Sequence, residues 1–203
     1  MASIQTLTQL RAIIGEPNEQ VALKLHRQLN AQAREFIARS PMFLLSTASA
    51  DGQPTVSPKG DGPGCVRVAD SRTLLVPERK GNKLVFSLQN ILINPKVGLI
   101  FLLPGTNETL RVSGDADLLD DSALCNTFVE RGQAALLVTR VRVTQAYFHC
   151  AKAFLRSELW NPAAWRPRLK VSFGQEIAEE GGLHPEQIDA FDAGVQQRCK
   201  TDL

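Results

Sequence analysis

At 203 residues the chain is long enough for one domain with a sizeable core, whereas two independent domains would each be small. Hydrophobic residues at 43% and charged residues at 22% exclude a largely disordered chain. Lysine plus arginine (23) against aspartate plus glutamate (21) leaves +2, too balanced for a nucleic-acid or membrane surface built on net charge, so any anion site is local.

The first segment, to about Ser40, reads as amphipathic helix: after Pro17 and Asn18, residues Val21, Leu25, Leu29, Phe36 and Ile37 recur on one face. Pro41 ends that pattern. Met42 to Ala48 is a short β-compatible run closed by the turn signal Asp51-Gly52. Further strands are expected at Thr55-Val56-Ser57, Cys65 to Val68 and Thr73 to Val76, with Gly- or Asp-rich turns between them. Helical spacing then appears from Asn82 to Ile93, where Leu84, Leu88 and Ile91 or Leu92 repeat until Asn94-Pro95 stops it. Strands resume at Val97 to Leu103, Thr109 to Gly114 and Ala135 to Tyr147, and from Ala151 onward the pattern loosens into short helical pieces. About six strands linked mostly by short turns predict a barrel rather than a doubly wound sheet. Three regions are expected: an N-terminal helical segment (1–40), the barrel (41–165) and a C-terminal helical extension (166–203).

The four cysteines lie far apart, form no C-x-x-C pair and follow no secretory leader, which predicts a reduced, cytoplasmic setting. No apolar run approaches the roughly 20 residues that span a bilayer. His149-Cys150 invites a metal or nucleophile reading, but no second ligand pair stands at metal-binding spacing, and only His26 and His184 remain as partners. Ser46, Ser57 and Ser113 lack a G-x-S-x-G setting, which argues against a serine hydrolase.

Three polar stretches carry candidate chemistry. Val76 to Lys83 runs from a strand into a helix through a loop holding Arg79, Lys80 and Lys83. It suits a phosphate, since helix-start N–H groups and cations both favour an anion, or it is a solvated basic turn. Ser87 and Asn90 lie about one and two helical turns beyond Lys83, placed either to share its face or to sit on the surface. Ser57 to Gly64 offers a superficial G-x-G-x-G, but a strand follows it rather than a helix, so a Rossmann site is not indicated; Lys59 stands where a strand leaves the barrel. Lys152, Arg156 and Trp160 fall at i, i+4 and i+8, either as a stripe meeting a flat aromatic ligand with an acidic tail or as a helix burying Trp160.

The order of these motifs resembles the flavin-binding pyridoxamine 5′-phosphate oxidase-like proteins, and within them a branch of FMN-dependent enzymes of unassigned substrate. The likeness is carried by Phe43-Leu44-Leu45-Ser46-Thr47 with Asp51-Gly52, Val56-Ser57-Pro58-Lys59-Gly60-Asp61, Leu74 to Arg79 with Gly81-Asn82, and Ser87 to Ile91 with Asn94-Pro95. Thr109 to Gly114, and His149-Cys150-Ala151-Lys152 through Arg156-Ser157 to Trp160, complete it. The resemblance implies a mainly β chain with flanking helices: a six-stranded antiparallel split β-barrel that forms a homodimer with FMN (flavin mononucleotide) at the subunit interface. It implies phosphate contacts from Arg79, Lys83, Ser87 and Asn90, a cofactor contact at Asn82, further cations at Lys59 and Arg111, and a reach to the flavin from Lys152, Arg156 and Trp160. The implied activity is an FMN-dependent oxidoreductase acting on an unidentified small molecule. The alternatives are a non-catalytic flavin-binding or storage protein and, third, a haem- or F420-binding relative; no nucleic acid or membrane partner is expected. No catalytic residue is assigned, although His149 is a candidate proton donor beside a flavin. The pyridoxamine phosphate oxidases proper carry a Tyr-Thr pair before the basic loop, a Ser-Arg-Lys run after it and a C-terminal Arg-x-His motif. Here Val76-Pro77 and Arg79-Lys80-Gly81-Asn82-Lys83 stand in the first two places and the third motif is missing, which argues against vitamin B6 oxidation.

Overall fold

A computed structural model describes residues 3–202. Seven strands form one antiparallel sheet: β1 (Met42–Ala48), β2 (Pro54–Gly60), β3 (Arg67–Asp70), β4 (Thr73–Glu78), β5 (Lys96–Leu102), β6 (Thr109–Leu119) and β7 (Leu137–His149), in the order β2-β1-β5-β6-β7-β4-β3. The fold is mainly antiparallel sheet with flanking helices, as expected, with seven strands in place of six. Alternation writes the core directly: Phe43 and Leu45 on β1, Leu74 and Val76 on β4, Val97, Leu99 and Phe101 on β5, and Leu110 and Val112 on β6 all point inward. On β6 a register shift falls between Ser113 and Gly114. A Cβ at Gly114 would stand 2.4 Å from the Arg142 carbonyl oxygen, so the close approach of β7 there requires glycine.

The helices are α1 (Leu7–Ile14), α2 (Glu19–Ala22), α3 (Ala31–Arg39), α4 (Phe86–Ile93), α5 (Ser122–Cys125), α6 (Lys152–Ser157), α7 (Phe173–Glu179) and α8 (Ile188–Thr201). The single amphipathic helix expected up to Ser40 is therefore three pieces. Gly15 (φ 84°) closes α1, and Pro17 leads into the short α2, which starts at an Asn18 cap. After a turn, His26 forms an isolated bridge, exchanging backbone hydrogen bonds with Ala146 on the free edge of β7. Val21 and Leu25 are accordingly exposed, while Leu29, Ala33, Phe36 and Ile37 enter the barrel core, Phe36 meeting Phe148 edge-on at 5.4 Å. Asn30 caps α3 through the Ala33 N–H at 2.8 Å.

Two further expectations change at helix starts and ends. The helix expected from Asn82 begins only at Phe86, because Lys83 (φ 63°) and Val85 (φ 47°) adopt left-handed backbone. The face that α4 turns inward is then Ser87, Asn90 and Ile91, while Leu84 and Leu92 are exposed. At the other end of the barrel α6 stops at Ser157, with Glu158 left-handed (φ 50°), so Lys152, Arg156 and Trp160 do not line one helical stripe. Trp160 instead folds back, stacking on Phe154 at 5.7 Å and donating from Nε1 to the Thr106 carbonyl at 2.9 Å. Beyond it, α7 and α8 pack on each other: Asp192 accepts the Gly174 N–H at 2.8 Å, and a Cβ at Gly174 would lie 2.7 Å from the Ile188 oxygen.

Among the described residues no helix is long and apolar enough to cross a membrane, and no group of three or more His, Cys, Asp or Glu is placed to hold a metal ion. The four cysteines are free.

Candidate ligand-binding site

The short β3 pairs with β4 only from Thr73 to Leu75, which leaves the edge of β4 at Val76–Glu78 open. Across the opening stands β2, the other edge of the sheet. Between them lies a cleft of about 660 Å³, lined by Ser57–Asp61 of β2 and its exit, by Val76–Arg79, by the loop to α4 and by the first turn of α4. That volume is in the range of small-molecule and cofactor pockets.

Charge in the cleft is largely settled within the chain. Lys59 pairs with Glu78 across the opening, and Glu78, which is buried, also accepts from Thr139 Oγ1 at 3.2 Å. Arg79 Nε meets Asp61 Oδ2 at 2.8 Å, and its Nη1 donates to the carbonyls of Phe128 at 2.8 Å and Gln133 at 3.3 Å. These two ion pairs stitch the edges of the open sheet together. Lys80 reaches the far C-terminal Asp202 at 2.8 Å and holds that carboxyl below its usual range. Of the four cations lining the cleft, Lys83 is the one with no carboxylate partner among the described residues. Cys65, on the same wall, has its thiol pushed up by burial first and by the Asp61 charge second, so it is no ready nucleophile.

Beside Lys83 lies a polar floor. Ser57 and Ser87 place their hydroxyls 2.7 Å apart at the foot of the cleft. Behind them Asn90 Nδ2 donates to Thr47 Oγ1 at 3.0 Å and to Thr55 Oγ1 at 3.2 Å, which fixes α4 onto the β1–β2 hairpin. Val85 supplies no side-chain cap, so the N–H groups of the first turn of α4 have no intrahelical acceptor, and the residues of that turn line the cleft.

The structure thus sorts the residues singled out in the sequence. Lys59, Arg79, Asn82, Lys83 and Ser87 all line the cleft, Lys59 and Arg79 already being engaged by carboxylates. Asn90 sits beneath it as a buried brace for α4. Arg111, Lys152, Arg156 and Trp160 do not line it; Arg111 is on the outer face of β6 and the other three follow β7. Sequence reading missed Ser57 as a site residue; its signal was a small polar residue inside a strand two positions before Lys59 and so on the same face. It also missed the carboxylates Asp61 and Glu78, which are legible only once β2 and β4 are known to face each other.

An antiparallel barrel left open along one side, with a polar cleft in that opening where a strand passes into a short helix, defines the split-barrel class. Residues 29–150 match the family model described as pyridoxamine 5′-phosphate oxidase, and the chain belongs to that family. Solved structures similar to it include HupZ of Group A Streptococcus, 19% identical, covering 59% of this chain and 93% of that one with a TM-score of 0.48. A putative pyridoxamine 5′-phosphate oxidase from Lactobacillus delbrueckii is 23% identical over 60% of this chain and 95% of its own, with a TM-score of 0.46. HutZ, the heme storage protein from Vibrio cholerae, is 18% identical over 58% and 89%, with a TM-score of 0.41. No curated protein matches the chain in sequence.

Proposed function

We propose that the chain is an FMN-dependent oxidoreductase acting on a small molecule, with the FMN phosphate in the cleft between β2 and β4. The observation that carries this reading is the donor set at the start of α4. Lys83, with no carboxylate partner among the described residues, the Ser57 and Ser87 hydroxyls and the uncapped first turn of α4 belong to the lining of one cleft, and these are the donors an oxyanion uses. These residues fit a phosphate monoester, and the cleft volume accommodates more than the phosphate alone. FMN, when bound, supplies hydride and electron exchange; the protein supplies anchoring, orientation and exclusion of water. Lys59 and Arg79 shape the walls from within their ion pairs rather than as free anion ligands. Arg111, Lys152, Arg156 and Trp160 meet such a ligand only from a second subunit, which is how we read the homodimer that the family resemblance implies.

Titration of the purified chain with FMN, followed by flavin fluorescence and visible absorption, tests the reading. Saturable binding with flavin bands supports it; a colourless protein that ignores added FMN, or one with a Soret band, overturns it. A flavin-storage role is the second reading. It is favoured by the engagement of Asp61 and Glu78, the carboxylates in the cleft wall, in ion pairs that leave neither free for proton transfer. Stopped-flow reduction of the bound flavin by NADH or NADPH separates the two: rapid reduction indicates an enzyme, and none indicates a store.

A further inference from the structure

The cations of the cleft are paired in two different ways. Lys59 and Arg79 meet carboxylates of the cleft's own walls, Glu78 and Asp61. Lys80 has its carboxylate brought from the far end of the chain: its Nζ donates to Asp202 Oδ1 at 2.8 Å, across 122 positions of sequence. The Lys80 side chain is 62% exposed, against 25% for Lys59 and 26% for Arg79. An ion pair open to water to that degree holds weakly, so Lys80 is the cleft cation that exchanges its partner most readily. Asp202 itself is set in place at the end of α8, where its N–H donates to the Arg198 carbonyl at 2.9 Å.

The body that carries Asp202 stands apart from the barrel. α7 and α8 close on each other through Asp192, Gly174 and Ile188. The chain that leads to them, 166–171, makes no hydrogen bond to the barrel, and Leu169 and Val171 on it are exposed. Among the described residues, Lys80–Asp202 is the one hydrogen bond or ion pair that joins residues 166–202 to the barrel. Next to Lys80 on the cleft loop stands Gly81, where an added Cβ would meet nothing within 4 Å, so the loop has room to shift as Lys80 changes partner.

We infer that Asp202 is a built-in competitor for the anion site: its carboxylate engages Lys80 in the ligand-free chain, and an entering phosphate takes Lys80 over and frees the C-terminal helix pair from the cleft loop. The inference rests on the reading of the cleft as a phosphate site and adds the regulation of that site. Lys80 carries one positive charge, and each acceptor that shares it weakens the hold of the other. The coupling is reciprocal: what the ligand spends in displacing Asp202 is what Asp202 withholds from ligand affinity. The exposure of the pair limits that coupling to about two- to fivefold.

The test uses the full-length chain with Cys150→Ser, which leaves Cys199 on α8 as the one exposed thiol, and carries a spin label there. The label broadens the NMR signals of nearby amides, and those of Gly81 and Asn82 should be broadened in the ligand-free protein. FMN, or inorganic phosphate at constant ionic strength against sodium chloride, should relieve the broadening saturably. Asp202→Asn should relieve it without ligand and raise FMN affinity about two- to fivefold, and Lys80→Ala should cancel that gain in the double variant. Absence of broadening in the ligand-free chain, broadening that persists at saturating FMN, or an Asp202→Asn affinity no higher than the native one overturns the inference. Phosphate that relieves the broadening while FMN fails to bind counts against the flavin reading alone, and failure of both probes to bind overturns both.

Discussion

The seam of the barrel and the loop beside it carry the same residue type to opposite ends. Lys59 and Arg79 lie across the opening between β2 and β4, and each is tied to a carboxylate on the other wall. Lys83, only four residues beyond Arg79, stands on left-handed backbone with no such partner among the described residues. A run of cations in a sequence therefore divides, once folded, into those that hold edges together and those left to hold something else. The chain closes an imperfect sheet with ion pairs at Lys59 and Arg79 and leaves Lys83 outside them.

The sharpest way to break this comparison is to remove a carboxylate from the seam. Glu78→Ala strands Lys59 against the wall and deprives Thr139 of its acceptor, and unpairing a buried ion pair costs about 3–5 kcal/mol. Urea unfolding of the variant should show that loss, with FMN affinity falling only as far as the fold does. A cost below about 1 kcal/mol would mean that Lys59–Glu78 is a surface pair after all. Arg79→Gln removes the bond to Asp61 and takes the Arg79 donor from the Phe128 carbonyl, an expected loss of about 2–3 kcal/mol in the same assay. Lys83→Ala is the contrasting case. Urea unfolding should be unchanged to within about 0.5 kcal/mol, because the side chain makes no partner that folding relies on. FMN affinity should fall by about tenfold, the loss of one charge-assisted contact of about 1.5 kcal/mol. A variant that loses stability and keeps affinity would reverse the roles assigned to the seam and the loop.

How much of this was legible in the sequence follows the range of the interactions. Strand alternation and turn residues are local, so β1, β4, β5 and the Asp51-Gly52 turn could be read directly, as could the strand-to-helix passage that holds Lys83. The start of α4 could not. Left-handed backbone at Lys83 and Val85, neither of them glycine, leaves no local signal, and the face of α4 that turns inward joins Ser87 and Asn90 to Ile91 in place of the apolar row expected from Leu84. The partners Asp61 and Glu78 lie 18 and 19 residues from Arg79 and Lys59, and nothing in their spacing reveals that β2 and β4 meet across a gap. The broken N-terminal helix has a different cause: apolar spacing continued through Leu25, but β7 offered an unpaired edge at Ala146, and backbone pairing at His26 won over helical periodicity. Positions such as Arg111 carried the resemblance without revealing their surroundings, because register and bulge decide which side chains on β6 and β7 become neighbours.

The smallest expected effect lies on the outer face of β6 and β7. Asp117 accepts from Arg140 and Arg142, and the Arg140 hydrogen bond is the first cause that holds its carboxyl below the ordinary value of 3.8. A carboxyl whose folded pKa lies below its unfolded one adds stability that is fully present above the unfolded value and is lost as pH falls through the folded one. Stability should therefore decline a little more steeply below about pH 4 in the native chain than in Asp117→Asn, while the two run parallel between pH 5 and 7. Because the Arg140 and Asp117 side chains are 40% and 36% exposed, solvent screens the pair and the difference should stay under about 1 kcal/mol. Urea midpoints collected from pH 7 down to pH 2.5 measure it. Identical pH slopes in the two proteins would show that the arginines around Asp117 are as loosely held as free surface charges.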